Sequence, residues 1–219
     1  MTDMGPMPGP MDSMMNMSLL PVWVWAAWAV ALVAVALVHV RHARSMSGQP
    51  RWWHIVHVLM SVGMLAMYAD MHQRALNWLI AVVFAAAAVA LAVTIGVLRG
   101  RERSLNPLWV ATTIDVLAMV YMGVIMRPSV RGPATLTWVF VVDLVGQTLA
   151  WAGGLWDRVP VLRRAAAGAA VRVDGESSNA LAAPARPSVG LTAHVSIDIR
   201  ISLAVMAASM AYMLAALAT

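Results

Sequence analysis

The sequence predicts an all-α integral membrane bundle of six transmembrane helices with both termini extracytoplasmic, and three observations carry that reading. Only 11% of the 219 residues are charged and 61% are hydrophobic, with a mean hydropathy of +0.75; a soluble domain carries about 25% charged residues. Six apolar runs have the length of roughly 20 residues that crosses about 30 Å of hydrocarbon. The basic residues, all of them arginine, crowd into alternate loops.

The first span is Leu19 to Val38. The eighteen residues before it carry no Arg or Lys, and its apolar run exceeds the core of a signal peptide, so it is expected to remain as a true span. Trp52 to Met71 is the second. The third, Asn77 to Leu98, contains Ala85, Ala86, Ala87, Ala88, Ala90 and Ala92, small residues that let helices approach closely in lipid. The fourth runs from Leu108 to Met126. In the fifth, Leu136 to Trp156, Asp143 and Gln147 stand at i and i+4 and mark a polar spot inside the bundle. The sixth, Ile197 to Leu217, opens on Asp198 and Arg200. Residues 1–18 form a methionine-rich tail expected to be flexible and extracytoplasmic. Residues 157–193, rich in Ala, Arg, Pro and Ser, are expected to form a flexible cytoplasmic loop. This leaves 19–156 as a five-helix membrane region and 194–219 as the sixth helix.

Counting arginines sets the orientation. Arg41, Arg44, Arg51, Arg99, Arg101, Arg103, Arg158, Arg163, Arg164, Arg172, Arg186 and Arg200 fall on one side, against Arg74, Arg127 and Arg131 on the other. Cytoplasmic loops carry the positive excess, so both termini are placed outside. The ten tryptophans fall within about two turns of the predicted helix ends, at headgroup depth, and are assigned no chemistry. The orientation is testable because the chain has no cysteine. Single cysteines introduced at Ser13 and Ser188 should differ in intact cells, with an impermeant thiol reagent labelling the first and sparing the second. The opposite pattern reverses the topology.

The composition also excludes functions. With a net charge of +5 the chain is basic, but its arginines lie in interhelical loops, so nucleic acid is not an expected partner. The absence of Cys removes disulfides, thiolate metal sites, iron–sulfur clusters and cysteine nucleophiles. No phosphate loop, nucleophile elbow or zinc-protease motif occurs, and an enzyme is not expected.

The candidate site rests on methionine. Of 18 Met, seven lie in the N-terminal tail and ten in the spans. The second span holds Met60, Met64, Met67 and Met71, the fourth Met119, Met122 and Met126, and the sixth Met206, Met210 and Met213; the odd-numbered spans hold none. At about 100° per residue each set falls within an arc of roughly 60°. Each even-numbered helix therefore presents one thioether stripe, in the middle or outer half of the bilayer on the side of the Met-rich tail. Methionine is a good core filler, and such a stripe also suits plain packing. Thioethers are equally soft, neutral donors that favour Cu(I) over hard cations and cannot form disulfides. Concurrence of stripe, depth and tail makes Cu(I) the expected metal.

Ionisable groups inside spans are costly and default to functional candidates. His57 extends the second stripe, with His54 one turn before it, and Asp115 lies on the arc of the fourth stripe and is expected to face His57. Asp70 and His72 stand at the outer end, Asp198 and His194 at the inner end of the sixth span. His39 and His42 fall in the first Arg-containing loop and are read as solvated or headgroup contacts. Haem needs two histidines on facing helices at one depth; the sequence supplies His57 with no certain partner, and haem is not expected.

The segment HIVHVLMSVGMLAMYADM (His54 to Met71) and the run MAASMAYML (Met206 to Leu214) resemble an actinobacterial family of multi-pass membrane proteins known as a domain of unknown function. His57, Met60, Met64, Met67, Met210 and Met213 are the matching positions, and the likeness covers the helical part from about Leu19 onward. It implies a fold and supplies no mechanism. The sequence reading is thus a multi-pass protein of a bacterial cytoplasmic membrane that binds or moves Cu(I). The alternative is a non-catalytic accessory subunit whose stripes pack against a second copy or a partner membrane protein.

Overall fold

A computed structural model describes residues 22–69, 74–102, 107–126, 130, 132–158 and 196–218. The tail 1–18, nearly all of the 157–193 loop, and Asp70, Met71, His72 and His194 lie outside the described residues. The described chain is all-helical, with six helices long and apolar enough to cross a membrane. They are α1 (Val22–Ser45), α2 (Gln49–Ala69), α3 (Arg74–Glu102), α4 (Pro107–Ile125), α5 (Ala134–Ala152) and α6 (Ile197–Ala218), with a short 3-10 turn at Leu155–Arg158.

Two ends depart from the predicted spans in ways that matter: α1 runs on past Val38, and α5 stops at Ala152, short of Trp156. Helix α1 continues past Val38 through Arg41, His42 and Arg44 to Ser45, because hydropathy marks where apolar character stops, and a helix rich in Arg and Ala need not stop there. Only Met46, Ser47 and Gly48 then connect it to α2, with Gly48 at φ 69°, a left-handed conformation that glycine adopts without strain. The α1–α2 hairpin is consequently tight, and the last turns of α1 lie beside the first turns of α2. Pro107 opens α4, where a missing N–H costs nothing. Gly153 and Gly154 end α5, the latter at φ 65°.

Each odd helix packs mainly on the even helix that follows it, α1 on α2, α3 on α4 and α5 on α6, and α6 also packs on α1. The best 18-residue windows of α2, α4 and α6 are 50%, 56% and 50% buried, against 17%, 28% and 28% for α1, α3 and α5. The even helices therefore form the interior and the odd helices the outer layer. Val30, Leu37, Val89, Val93, Val142 and Leu149 of that layer point outward, an apolar surface suited to lipid. The backbones of α2, α4 and α6 approach one another closely at only a few places, and long side chains fill the space between them.

Small residues set the tight approaches. Gly63 of α2 faces the Phe84 ring of α3 and the Met119 methyl of α4, and Gly123 of α4 sits against the backbone of α3 at Asn77 and Ala81. The tryptophans divide: Trp23, Trp52, Trp78 and Trp138 are exposed, whereas Trp53, Trp109 and Trp151 are buried. Trp53 Nε1 donates to Thr112 Oγ1 at 3.0 Å and ties α2 to α4. It lies near the start of α2, as read from the sequence, and its side chain is turned to α4.

Candidate functional site

Helix α2 contributes His57, Met60, Met64 and Met67, helix α4 contributes Asp115, Met119 and Met122 with Met126 just past its end, and α6 contributes Met206, Met210 and Met213; all eleven are buried. Met60, Met64, Met67, Met119, Met122 and Met210 are fully enclosed. Met71 is the one predicted site residue outside the described residues. Because the 3.6-residue period returns each stripe to one face, burial of one methionine entails burial of the others on its helix.

Contacts between helices show the stripes of α2 and α6 turned toward each other. Ser61 Oγ of α2 lies 3.7 Å from Met206 Sδ of α6, and Ser209 Oγ of α6 lies 3.9 Å from Met64 Sδ of α2. The Ser61 hydroxyl donates to the His57 carbonyl at 2.9 Å, so its single proton leaves the Met206 sulfur lone pairs uncommitted. A pocket where the three inner helices meet is lined by His57, Asp115, Gln147, Met206 and Met210, among others. Nitrogen, oxygen and sulfur donors thus border one space. Among the described residues, no three His, Cys, Asp or Glu side chains gather into a metal cage.

Asp115 shares that pocket with His57, but its hydrogen bond goes elsewhere. Gln147 Nε2 of α5 donates to Asp115 Oδ1 at 2.8 Å and to Asp143 Oδ2 at 2.9 Å, one amide group serving two carboxylates. Gln147 Oε1 is buried with no hydrogen-bond partner among the described residues. His57 Nδ1 is held by the Trp53 carbonyl at 2.7 Å, which fixes the proton on Nδ1 and leaves Nε2 as a lone pair.

The histidines of α1 depart most from the sequence reading. His39, expected in a solvated loop, is fully buried, and His54 of α2, which faces it, is 2% exposed. His39 Nδ1 and His54 Nδ1 face each other at 2.8 Å. The His39 ring stacks on His57 with centroids 5.0 Å apart, and His42 stacks on His54 at 5.3 Å. From α6, Ser202 Oγ lies 3.1 Å from His39 Nε2, and Asp198 Oδ2 lies 3.6 Å from His42 Nε2. Four imidazoles therefore collect at the α1–α2 turn. The signal was present as two H-x-x-H spacings, His39/His42 and His54/His57, on either side of a short connection. An antiparallel hairpin superimposes such pairs, and ending α1 at Val38 concealed it.

Comparisons with family models, with curated proteins and with solved structures found no match to this chain.

Proposed function

We propose that this protein binds Cu(I) in a methionine-lined interior and conducts or hands over the ion along it, from a soft thioether end toward a nitrogen- and oxygen-bearing end at His57 and Asp115. The observation that carries this reading is the burial of all nine described stripe methionines on the three inner helices, two of which, Met206 and Met210, border the pocket that also holds His57 and Asp115. Stripes serving assembly with a partner would face outward. A neutral sulfur cage suits a monovalent soft ion, since thioethers coordinate Cu(I) without adding charge to the bilayer interior. With the arginine asymmetry as support, both termini are assigned to the outside of a bacterial cytoplasmic membrane, which puts the thioethers at the outer part of the path. The likeness of α2 and α6 to the actinobacterial family of unknown function belongs to the same proposal.

Leucine and methionine have similar volumes, and such exchanges in a core usually cost less than about 1.5 kcal/mol. Replacing Met64, Met67, Met122 and Met210 by Leu should therefore preserve expression and thermal stability. It should abolish sulfur-bound copper, read as less Cu(I) retained against a chromophoric chelator and as loss of sulfur scattering at the copper X-ray edge. Ag(I) should compete for the thioether site and Zn²⁺ should not. Equal copper and unchanged scattering in wild type and variant, or no copper in the wild type, would make the methionines packing residues and return the protein to an accessory role.

A further inference from the structure

The hydrogen bonds around His39 assign its protons. Ser202 Oγ donates to the Ile199 carbonyl at 2.8 Å, so toward His39 the hydroxyl can only accept, and His39 Nε2 carries the proton that it receives. His39 Nδ1 is then a lone pair, and the proton in the 2.8 Å contact with His54 belongs to His54 Nδ1. A buried imidazole whose far nitrogen donates to a fixed oxygen has the arrangement of a metal-binding histidine, because that outer bond fixes the tautomer and aims the ligand nitrogen. His57 and His42 have their Nδ1 atoms likewise held by backbone carbonyls, of Trp53 at 2.7 Å and Val38 at 2.9 Å.

We propose that His39 Nδ1 and His54 Nδ1 form a second Cu(I) site, two-coordinate and nitrogen-only, at the α1–α2 end of the bundle. The juxtaposition on which it stands is a pair of buried ring nitrogens from adjacent helices, pointed at one another with a single proton between them. A Cu⁺ ion can take the place of that proton between the rings when the proton moves from His54 Nδ1 to His54 Nε2. Both imidazoles then stay neutral, no proton is released to solvent, and the site gains the single positive charge of the ion. Metal–imidazole bonds of roughly 2 Å require the two nitrogens to separate to roughly 4 Å, a small rotation of two side chains. Zn²⁺ asks for about four ligands in a tetrahedron. With no three His, Cys, Asp or Glu donors converging among the described residues, a monovalent ion content with two ligands is the one this geometry admits. Access comes from the partly exposed His42–Asp198 pair, whose carboxylate attracts a cation to the ring stacked on His54.

This site does not rest on the methionine reading, and the two separate experimentally. Asparagine can place an amide donor near the position of Nδ1 and keep the hydrogen bond to the facing ring, yet it is a poor Cu(I) ligand. His54→Asn is therefore expected to fold as wild type and to lose one equivalent of Cu(I) together with the nitrogen scattering that belongs to it, leaving any sulfur scattering and any contribution of His57 in place. In the fourfold Met→Leu protein the same spectrum should show two nitrogen neighbours and no sulfur. Ser202→Ala, which removes the acceptor for His39 Nε2–H, should weaken binding about tenfold without abolishing it. Retention of nitrogen-bound copper by His54→Asn in the fourfold Met→Leu background overturns the proposal, as does a wild-type spectrum that contains sulfur ligands alone or a wild type that holds no copper. Should His54→Asn fail to fold, nitrogen ligands of the fourfold Met→Leu protein that persist on adding His57→Asn but vanish on adding His39→Asn support the assignment, and their persistence with His39→Asn defeats it.

Discussion

Gly63→Ala should lower the thermal unfolding temperature of the detergent-solubilised protein, by an amount that corresponds to about 1–3 kcal/mol of overpacking. In an exposed helix interior the same change gains about 1 kcal/mol, so the sign depends on what the new methyl meets. A Cβ at Gly63 would lie 2.6 and 2.8 Å from two ring carbons of Phe84 and 3.0 Å from the Met119 methyl. Phe84 is itself buried and has little room to turn. Gly96→Ala in α3 is the control, since a Cβ there meets nothing within 4 Å, and it should be neutral or stabilising. Phe84→Leu in the Gly63→Ala background should recover part of the loss by removing the obstructing ring atoms. If Gly63→Ala and Gly96→Ala behave alike, α2 and α3 do not meet as described.

Gln147→Leu should cost about 2–3 kcal/mol, because it leaves the buried Asp115 without the amide donor that satisfies it. The penalty comes from an orphaned polar group rather than from lost packing, and a double-mutant cycle separates the two. Asp115→Leu combined with Gln147→Leu should be more stable than Gln147→Leu alone, since the buried carboxylate is then gone and only the partly buried Asp143 loses its donor. Asp115→Asn should leave folding largely intact, as its side-chain oxygen still accepts from Gln147 Nε2, while weakening any copper-dependent phenotype. Unfolding followed by fluorescence of the buried tryptophans in detergent measures all four proteins. A Gln147→Leu protein as stable as wild type would show that the amide does not hold Asp115.

These two sites also show which parts of the molecule are legible in the sequence. The spans are, since apolar length is a one-dimensional property, and so are the inward faces of α2, α4 and α6, because a stripe of one residue type at helical spacing marks a face. Asp143 and Gln147 are readable as a polar spot because both sit on one helix. Their bond to Asp115 is not, since periodicity on α4 and on α5 says nothing about how the two helices rotate against each other. The same gap hides His39: its environment depends on where α1 ends and how short the turn to α2 is, and hydropathy reports neither. Trp53, Trp109 and Trp151 make the point for aromatics. Depth along a helix is read from the sequence, whereas the side facing a neighbour is decided by packing.

The contact of α6 with both α5 and α1 bears on how the protein is made. Hairpins α1–α2 and α3–α4 pair segments that leave the ribosome in succession, so they can associate as they are synthesised. The wall that α6 supplies arrives last, and with it come Met206, Met210 and Met213, the Ser202 acceptor for His39 and the Asp198 carboxylate beside His42. A half-made chain would turn the thioethers of α2 and α4 toward lipid, where they are harmless apolar groups, and would leave its imidazoles unaligned. On the proposed copper reading, metal competence would arise only once α6 is in place, and chains without it would not yet hold the ion.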